Sequence, residues 1–218
     1  MYTISELFDL THTKAYAYLS NFTYPFQALS GLKQFIITLG ESLGDEYEER
    51  EPKVWIHKSA EIFPTAYIGA PCIIGAHTQV RHGAFIRGSA LIGENCVVGN
   101  STEIKNAILF DGVQAPHYNY IGDSILGYKA HTGAGVITSN VKSDKTPVVI
   151  KDGEERMETG MKKVGAMLGD FVEVGCNSVL NPGTVIGKGA SIYPLSCVRG
   201  TIKTNSIYKN ANEIVDKE

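Results

Sequence analysis

The sequence of 218 residues has no strong bias of charge: 20 Lys and Arg stand against 23 Asp and Glu, a net charge of −3. Without a basic surplus, neither nucleic acid nor an anionic membrane surface is expected as a partner. Long hydrophobic runs are also missing. Stretches such as Phe35-Ile36-Ile37 fall far short of the ~20 apolar residues that a bilayer-crossing helix needs. The opening MYTISELFDLTHTK has no basic segment followed by an apolar one, so no secretory leader is expected. Cysteine is scarce, and Cys72, Cys96, Cys176 and Cys197 form no CxxC pair. Buried free thiols in a reducing cytoplasm are the expectation. Charged residues are 20% and apolar residues 43% of the chain, a balance that folds rather than staying disordered.

Glycine is rare in one part of the chain and abundant in another. The first 68 residues hold only Gly31, Gly40 and Gly44, whereas 20 of the 23 glycines lie between Gly69 and Gly200. Two architectures in one chain are the natural inference. Residues 1–50 read as a helical N-terminal segment. Phe26, Leu29, Leu32, Ile36, Leu39 and Leu43 fall on one face of a helix. Pro25 near its start and Gly44 after its end fit the asymmetry of helix termini. The acidic stretch from Asp45 to Glu51, closed by Pro52, reads as a solvated connector, and residues 51–218 read as a second domain with a short C-terminal tail.

In that second domain the period changes. Ile56, Ile62, Ile68, Ile74, Val80, Ile86, Ile92, Val98 and Ile104 recur every six residues. Ala60, Ala66, Cys72, Thr78, Ala84, Ala90, Cys96 and Thr102 follow the first eight at a distance of four. An amphipathic helix repeats every 3.6 residues and cannot hold such a period; a hexapeptide β-solenoid can. Each hexapeptide supplies one short strand and one turn, with the branched residue inside and glycine easing the corner. The register returns at Leu168, Val174, Leu180, Ile186, Ile192 and Val198, and Leu126 and Thr132 keep its phase. The segment from about Val141 to Lys163 is therefore an arm thrown out of the coil. Within it, Val148 to Lys151 and Glu154 to Met157 flank Asp152-Gly153, which predicts a hairpin with a type I′ turn. An arm of this length is expected to be functional and to reach a neighbouring chain.

The register of branched residue, glycine and small residue resembles the left-handed β-helix acyltransferases. Over residues 87–140 the likeness narrows. Arg87-Gly88, Glu103-Ile104-Lys105, Pro116-His117-Tyr118-Asn119-Tyr120-Ile121-Gly122-Asp123 and Gly133-Ala134-Gly135-Val136-Ile137-Thr138-Ser139-Asn140 are similar to the acetyltransferase domain of bifunctional N-acetylglucosamine-1-phosphate uridyltransferases. They are equally similar to the sugar-1-phosphate nucleotidylyltransferase/acetyltransferases, as are Lys162 to Asp170 and Asn181-Pro182-Gly183. The resemblance covers roughly residues 54–202. It implies a mainly β fold, a left-handed parallel β-helix assembled as a homotrimer with its active sites between subunits. It also implies an acetyl-CoA-dependent acetyltransferase of nucleotide-sugar metabolism acting on an amino-sugar 1-phosphate. Residues 1–50 carry no glycine-rich phosphate loop, so no nucleotidyltransferase activity is expected of this chain.

Acetyl transfer to an amine needs a base, donors for the tetrahedral oxyanion and two substrates held in contact. By resemblance His117 is the base, Glu103 a carboxylate near the amine, and Asn140 an amide at the acetyl carbonyl. Arg87 and Lys105 would hold the sugar phosphate, the guanidinium by paired bonds and the ammonium as a point charge, with Tyr120 adding a hydroxyl. Ala134 and Cys176 would lie near the acyl-CoA, Cys176 where relatives have a small residue rather than a catalytic thiol. His131 stands where the uridyltransferases have an asparagine, which leaves the acceptor sugar open. No metal is expected. Two other readings compete. One is a non-catalytic sugar-phosphate or nucleotide-sugar binding subunit working with a separate nucleotidyltransferase. The other is a zinc enzyme like the γ-carbonic anhydrases, for which His77 and His82 have a suitable spacing but a third ligand is not obvious.

Overall fold

In the computed structural model, which describes residues 1–217, the hexapeptides stack as the coils of a left-handed parallel β-helix with three faces. The first face holds Val54–His57, Cys72–Ile74, Ala90–Ile92, Ala166–Leu168 and Thr184–Ile186, and the second runs from Glu61–Ile62 through Gln79–Val80 to Ser206–Asn210. Tyr67–Ile68, Phe85–Ile86, Ile137–Thr138, Val179–Leu180 and Cys197–Val198 belong to the third. Side chains alternate along a strand, so each hexapeptide sends its small and its branched residue inward and one residue outward between them. The inward ladder Ile86, Ile104, Ile121, Thr138, Leu180 and Val198 is fully buried. Two of the small residues are threonines whose hydroxyls donate to a carbonyl of the next coil, Thr78 to Gly93 (2.7 Å) and Thr102 to Ala115 (3.0 Å), so these buried hydroxyls are paired.

The coil is not uniform. Val54 pairs with Cys72 and Cys72 with Ala90, a spacing of eighteen, but Ala90 pairs with Ala107 and Ala107 with Ser124, a spacing of seventeen. The lost residue belongs to the corner between the third and first faces. There the seven-residue strands Glu103–Leu109 and Tyr120–Leu126 run from one face into the next, and Asn106 and Asp123 take the left-handed conformation, φ 48° in both.

From Trp55 to Val185 the outward residues of the first face are apolar and buried, namely Trp55, Ile73, Leu91, Ile108, Ile125, Met167 and Val185; in the last coil the position falls to the half-buried Thr201. The N-terminal segment covers most of this column, adding Leu7, Leu19, Leu29, Leu32 and Ile36 to the same core, and the arm hairpin packs against its last strands. At ~1.5–3 kcal/mol for each large apolar side chain buried, this lamination is a principal source of the segment's order. Polar ties fix its course. The buried Asp170 carboxylate accepts from the backbone of Asp9 (2.7 Å) and Tyr128 (2.8 Å) and pairs with Lys188 (3.1 Å). The His12 ring stacks on Tyr128 at 3.6 Å.

Three local expectations need correction. The helix expected from Phe26 to Leu43 is two pieces, a 3₁₀ turn Pro25–Leu29 and an α-helix Leu32–Gly40. The first intervals, Phe26 to Leu29 to Leu32, are three residues each, the 3₁₀ period; the last helical residue is Gly40, where a Cβ would strike the Trp55 ring at 2.1 Å. The supposed connector contains a strand, Tyr47–Glu51, paired antiparallel with Val54–His57, which closes the open edge of the first coil. Cys72 and Cys96 are buried free thiols, burial pushing Cys96 up to about 12 and raising Cys72 further, but Cys176 and Cys197 are exposed.

The arm forms the hairpin Val149–Asp152 and Glu155–Glu158. Its two-residue loop is Gly153-Glu154, one residue later than expected, and only Gly153 has positive φ (58°), as in a type II′ rather than a type I′ turn. The hairpin folds back on its own coil. Val148 and Ile150 are buried, and Thr201 donates to the Lys151 carbonyl at 2.9 Å. No helix among the described residues is long and apolar enough to cross a membrane.

Candidate functional site

The shortened corners place four polar side chains around one carboxylate. Asp123 is 3% exposed. It accepts from Lys105 Nζ through both oxygens (3.1 and 3.0 Å), from Asn106 Nδ2 (2.8 Å) and from Asn140 Nδ2, whose amide also lies 3.2 Å from the Tyr120 hydroxyl. Lys105 and Asn140, both singled out in the sequence, are thus held by a residue to which no role was given. A buried carboxylate needs such partners, and here they are the candidate ligand groups themselves.

Arg87 is one coil from Lys105 and occupies the same outward column. Its guanidinium donates to Glu103 Oε1 at 2.8 Å, and Glu103 holds its pKa above the ordinary value. Burial raises the Tyr120 hydroxyl, which therefore keeps its proton as a hydrogen-bond donor beyond the usual tyrosine range. Arg87, Glu103, Lys105, Tyr120 and Asn140 consequently share one edge of the third face. Of these, Arg87 and Lys105, with Asn106 and Asp123, line a cleft of about 660 Å³ whose other walls include Lys33 of the helix starting at Leu32 and the returning arm at Met161 to Lys163.

His117 lies on the opposite edge of that face. It ends the strand Gln114–His117, pairs in register with Asn100, and is exposed; its carbonyl accepts from Gly135 N–H at 3.0 Å. Ala134 stands above it in the next coil and Cys176 in the coil after that, so His117, Ala134 and Cys176 form one column along this edge. The backbone beside Ala134 is closely built. A Cβ on Gly133 would meet the Cys176 nitrogen at 2.8 Å, and one on Gly135 the Asn177 side chain at 2.2 Å. Gly133, Ala134, Gly135 and the exposed Cys176 put no charged side chain along this column.

His131 belongs to neither edge. It is an outward residue of the second face, and its Nδ1 shares a hydrogen bond with Glu173 Oε2 at 2.7 Å, in a separate hollow with Gln114 and Lys129. The histidines considered for zinc are not assembled. His82 Nδ1 bonds the Thr65 hydroxyl, and among the described residues no group of three His, Cys, Asp or Glu is placed to hold a metal ion.

Asp123 and Asn106 were the residues sequence reasoning overlooked. A signal existed: the interval from Ile104 to Leu126 is not a multiple of six, and that loss of phase marks the shortened corners.

Residues 71–153 match the family model described as the GMPPB C-terminal domain. The chain is 31% identical over 157 residues to a bifunctional sugar-1-phosphate nucleotidylyltransferase/acetyltransferase of Sulfurisphaera tokodaii, a match covering 72% of this chain and 39% of that protein. The chain thus spans about two fifths of the length of that curated relative. It is 34% identical over 161 residues to YaiX, an uncharacterized acetyltransferase of Escherichia coli (strain K12), covering 66% of this chain and 70% of that one. Among solved structures it is similar to the polysialic-acid-specific acetyltransferase NeuO, with a TM-score of 0.45 and 13% identity over 72% of this chain and 80% of that one.

Proposed function

This chain belongs to the hexapeptide-repeat acyltransferases, and from that premise we propose that it transfers an acetyl group from acetyl-CoA to the amine of an amino-sugar 1-phosphate. The observation that carries the reading is the joint presentation of Lys105 and Asn140, both bound to Asp123, of Tyr120 bound to Asn140, and of Arg87 held by Glu103 one coil away. Arg87 and Lys105 match the charge of a phosphate monoester, and their carboxylate partners hold them in place for it. In the reaction His117 takes a proton from the attacking amine as its nitrogen bonds to the thioester carbonyl carbon. The carbon–sulfur bond then breaks, and the thiolate leaves carrying the electron pair. Tyr120 offers its O–H to the oxygen on which charge develops, and Asn140, whose amide donates to Asp123 and to the Tyr120 oxygen, orients that hydroxyl. Glu103 orients Arg87 and faces the amine.

Within one chain His117 and the basic edge are separated by the width of the third face, so a single copy does not close the site. A cyclic homotrimer would: head-to-tail packing sets unlike edges of neighbouring copies against each other. The outward column of the third face supports this assembly, because Tyr67, Phe85 and Val179 are exposed (60%, 43% and 37%). Free thiols at Cys72, Cys96, Cys176 and Cys197 suit a reducing, cytoplasmic setting.

The test is release of free CoA from acetyl-CoA with glucosamine 1-phosphate as acceptor. His117→Ala is expected to cut kcat by about 10²–10⁴-fold without changing the oligomeric state, His117 being exposed. Turnover unaffected by that substitution would remove the proposal.

A further inference from the structure

The cleft at the basic edge is larger and more cationic than one phosphate requires. Besides Arg87 and Lys105 it is lined by Lys33, Lys162 and Lys163, while Asp123 is its sole acidic lining residue. Arg87 is paired with Glu103 and Lys105 with Asp123; among the described residues, Lys33, Lys162 and Lys163 have no ion-pair partner. The three lysines come from two elements remote in sequence, yet both elements are fixed. Lys33 sits in the first turn of Leu32–Gly40, whose Leu32 and Ile36 are fully buried. Lys162 and Lys163 precede Val164, whose N–H donates to the Asn140 carbonyl (3.0 Å), and Gly165, whose N–H donates to the Asp123 carbonyl (2.8 Å). The arm's return is therefore stitched to the site residues, and its lysines are carried to the cleft rather than left on a loose loop.

Resting on the sugar-phosphate reading, we infer that Lys33, Lys162 and Lys163 form a second anion subsite beside Arg87 and Lys105, and that the preferred acceptor carries two linked phosphates, an amino sugar joined through a diphosphate. Three unpaired ammonium groups around one cleft repel each other, and an added phosphate relieves that repulsion while gaining charge-assisted hydrogen bonds. A volume of about 660 Å³ lies in the range of sites that enclose a whole small ligand, leaving space for a second phosphate beyond the first.

Equilibrium binding of glucosamine 1-phosphate and of uridine diphosphate glucosamine tests this, with inorganic phosphate and pyrophosphate as competitors that lack sugar and base. The full-length protein is expected to bind the diphosphate ligand, and pyrophosphate over phosphate, at least about tenfold more tightly at low salt, the gain shrinking as salt screens the lysines. In the triple variant Lys33→Gln/Lys162→Gln/Lys163→Gln the preference should fall below about threefold, whereas Arg87→Gln should weaken both ligands together. All three lysines are exposed, so a thermal melt suffices to confirm that the variant folds. A diphosphate preference absent from the wild type, or untouched in the triple variant, overturns the second subsite while leaving monophosphate acetylation standing. Failure to bind either ligand overturns both readings.

Discussion

The first and third faces of the β-helix are built from the same hexapeptide and end in opposite situations. Both send branched residues inward. They differ in the single outward residue of each repeat. On the first face, up to Val185, these are Trp55, Ile73, Leu91, Ile108, Ile125, Met167 and Val185, at most 6% exposed beneath the N-terminal segment and the arm hairpin. On the third they are Tyr67, Phe85, Glu103, Tyr120, Ile137, Val179 and Cys197, partly or fully open. A continuous apolar column is covered by the chain itself. A mixed column of aromatic, charged and apolar residues stays open, with the candidate catalytic and phosphate-binding groups in it and along its two edges. The repeat therefore sets the shape of the coil, and the outward residue decides what each face is for.

Removing residues 1–46 should break this contrast most severely. It bares most of the apolar column of the first face, and the prediction is aggregation or loss of cooperative unfolding, read by light scattering and thermal melting; a soluble, fully folded truncation would mean that the two faces are equivalent after all. Ile125→Ala, on the covered face, is expected to cost about 2–5 kcal/mol in denaturant unfolding, the range for a fully buried aliphatic side chain. Val179→Lys, on the open face, should alter the stability of the isolated chain by no more than about 0.5 kcal/mol. Its effect should be on assembly, shifting the species seen by sedimentation from the proposed trimer to monomer. Equal destabilisation by the two point substitutions would argue that both faces are covered alike.

Much of the fold could be read from the order of residues. The coils, the arm and the change of architecture after the first fifty residues all follow from the period of six, because a buried strand position accepts little besides Ile, Val or Leu. The helical segment was legible only in part: its intervals of three near Phe26 belong to a 3₁₀ turn, and the strand Tyr47–Glu51 is so acidic that composition argued for solvent. Of the candidate site, the individual residues were visible but their grouping was not. His131 was set beside the acceptor, yet it is tied to Glu173 on another face. Asp123, which links Lys105 to Asn140, looked like one more turn residue, because a turn aspartate and a buried anchoring carboxylate are written with the same letter.

The linear pattern alone therefore settled the coil, its inward ladder and the place where the arm leaves it, since all of these follow from a local period and from the exclusion of apolar side chains from water. Only the tertiary structure decided that the N-terminal segment lies along the first face. It also decided that two corners are one residue short, and that Lys33 and Lys162 share a cleft with Arg87. Such facts depend on contacts between residues far apart in the chain. No local preference encodes those contacts; packing and charge resolve them when the whole molecule closes.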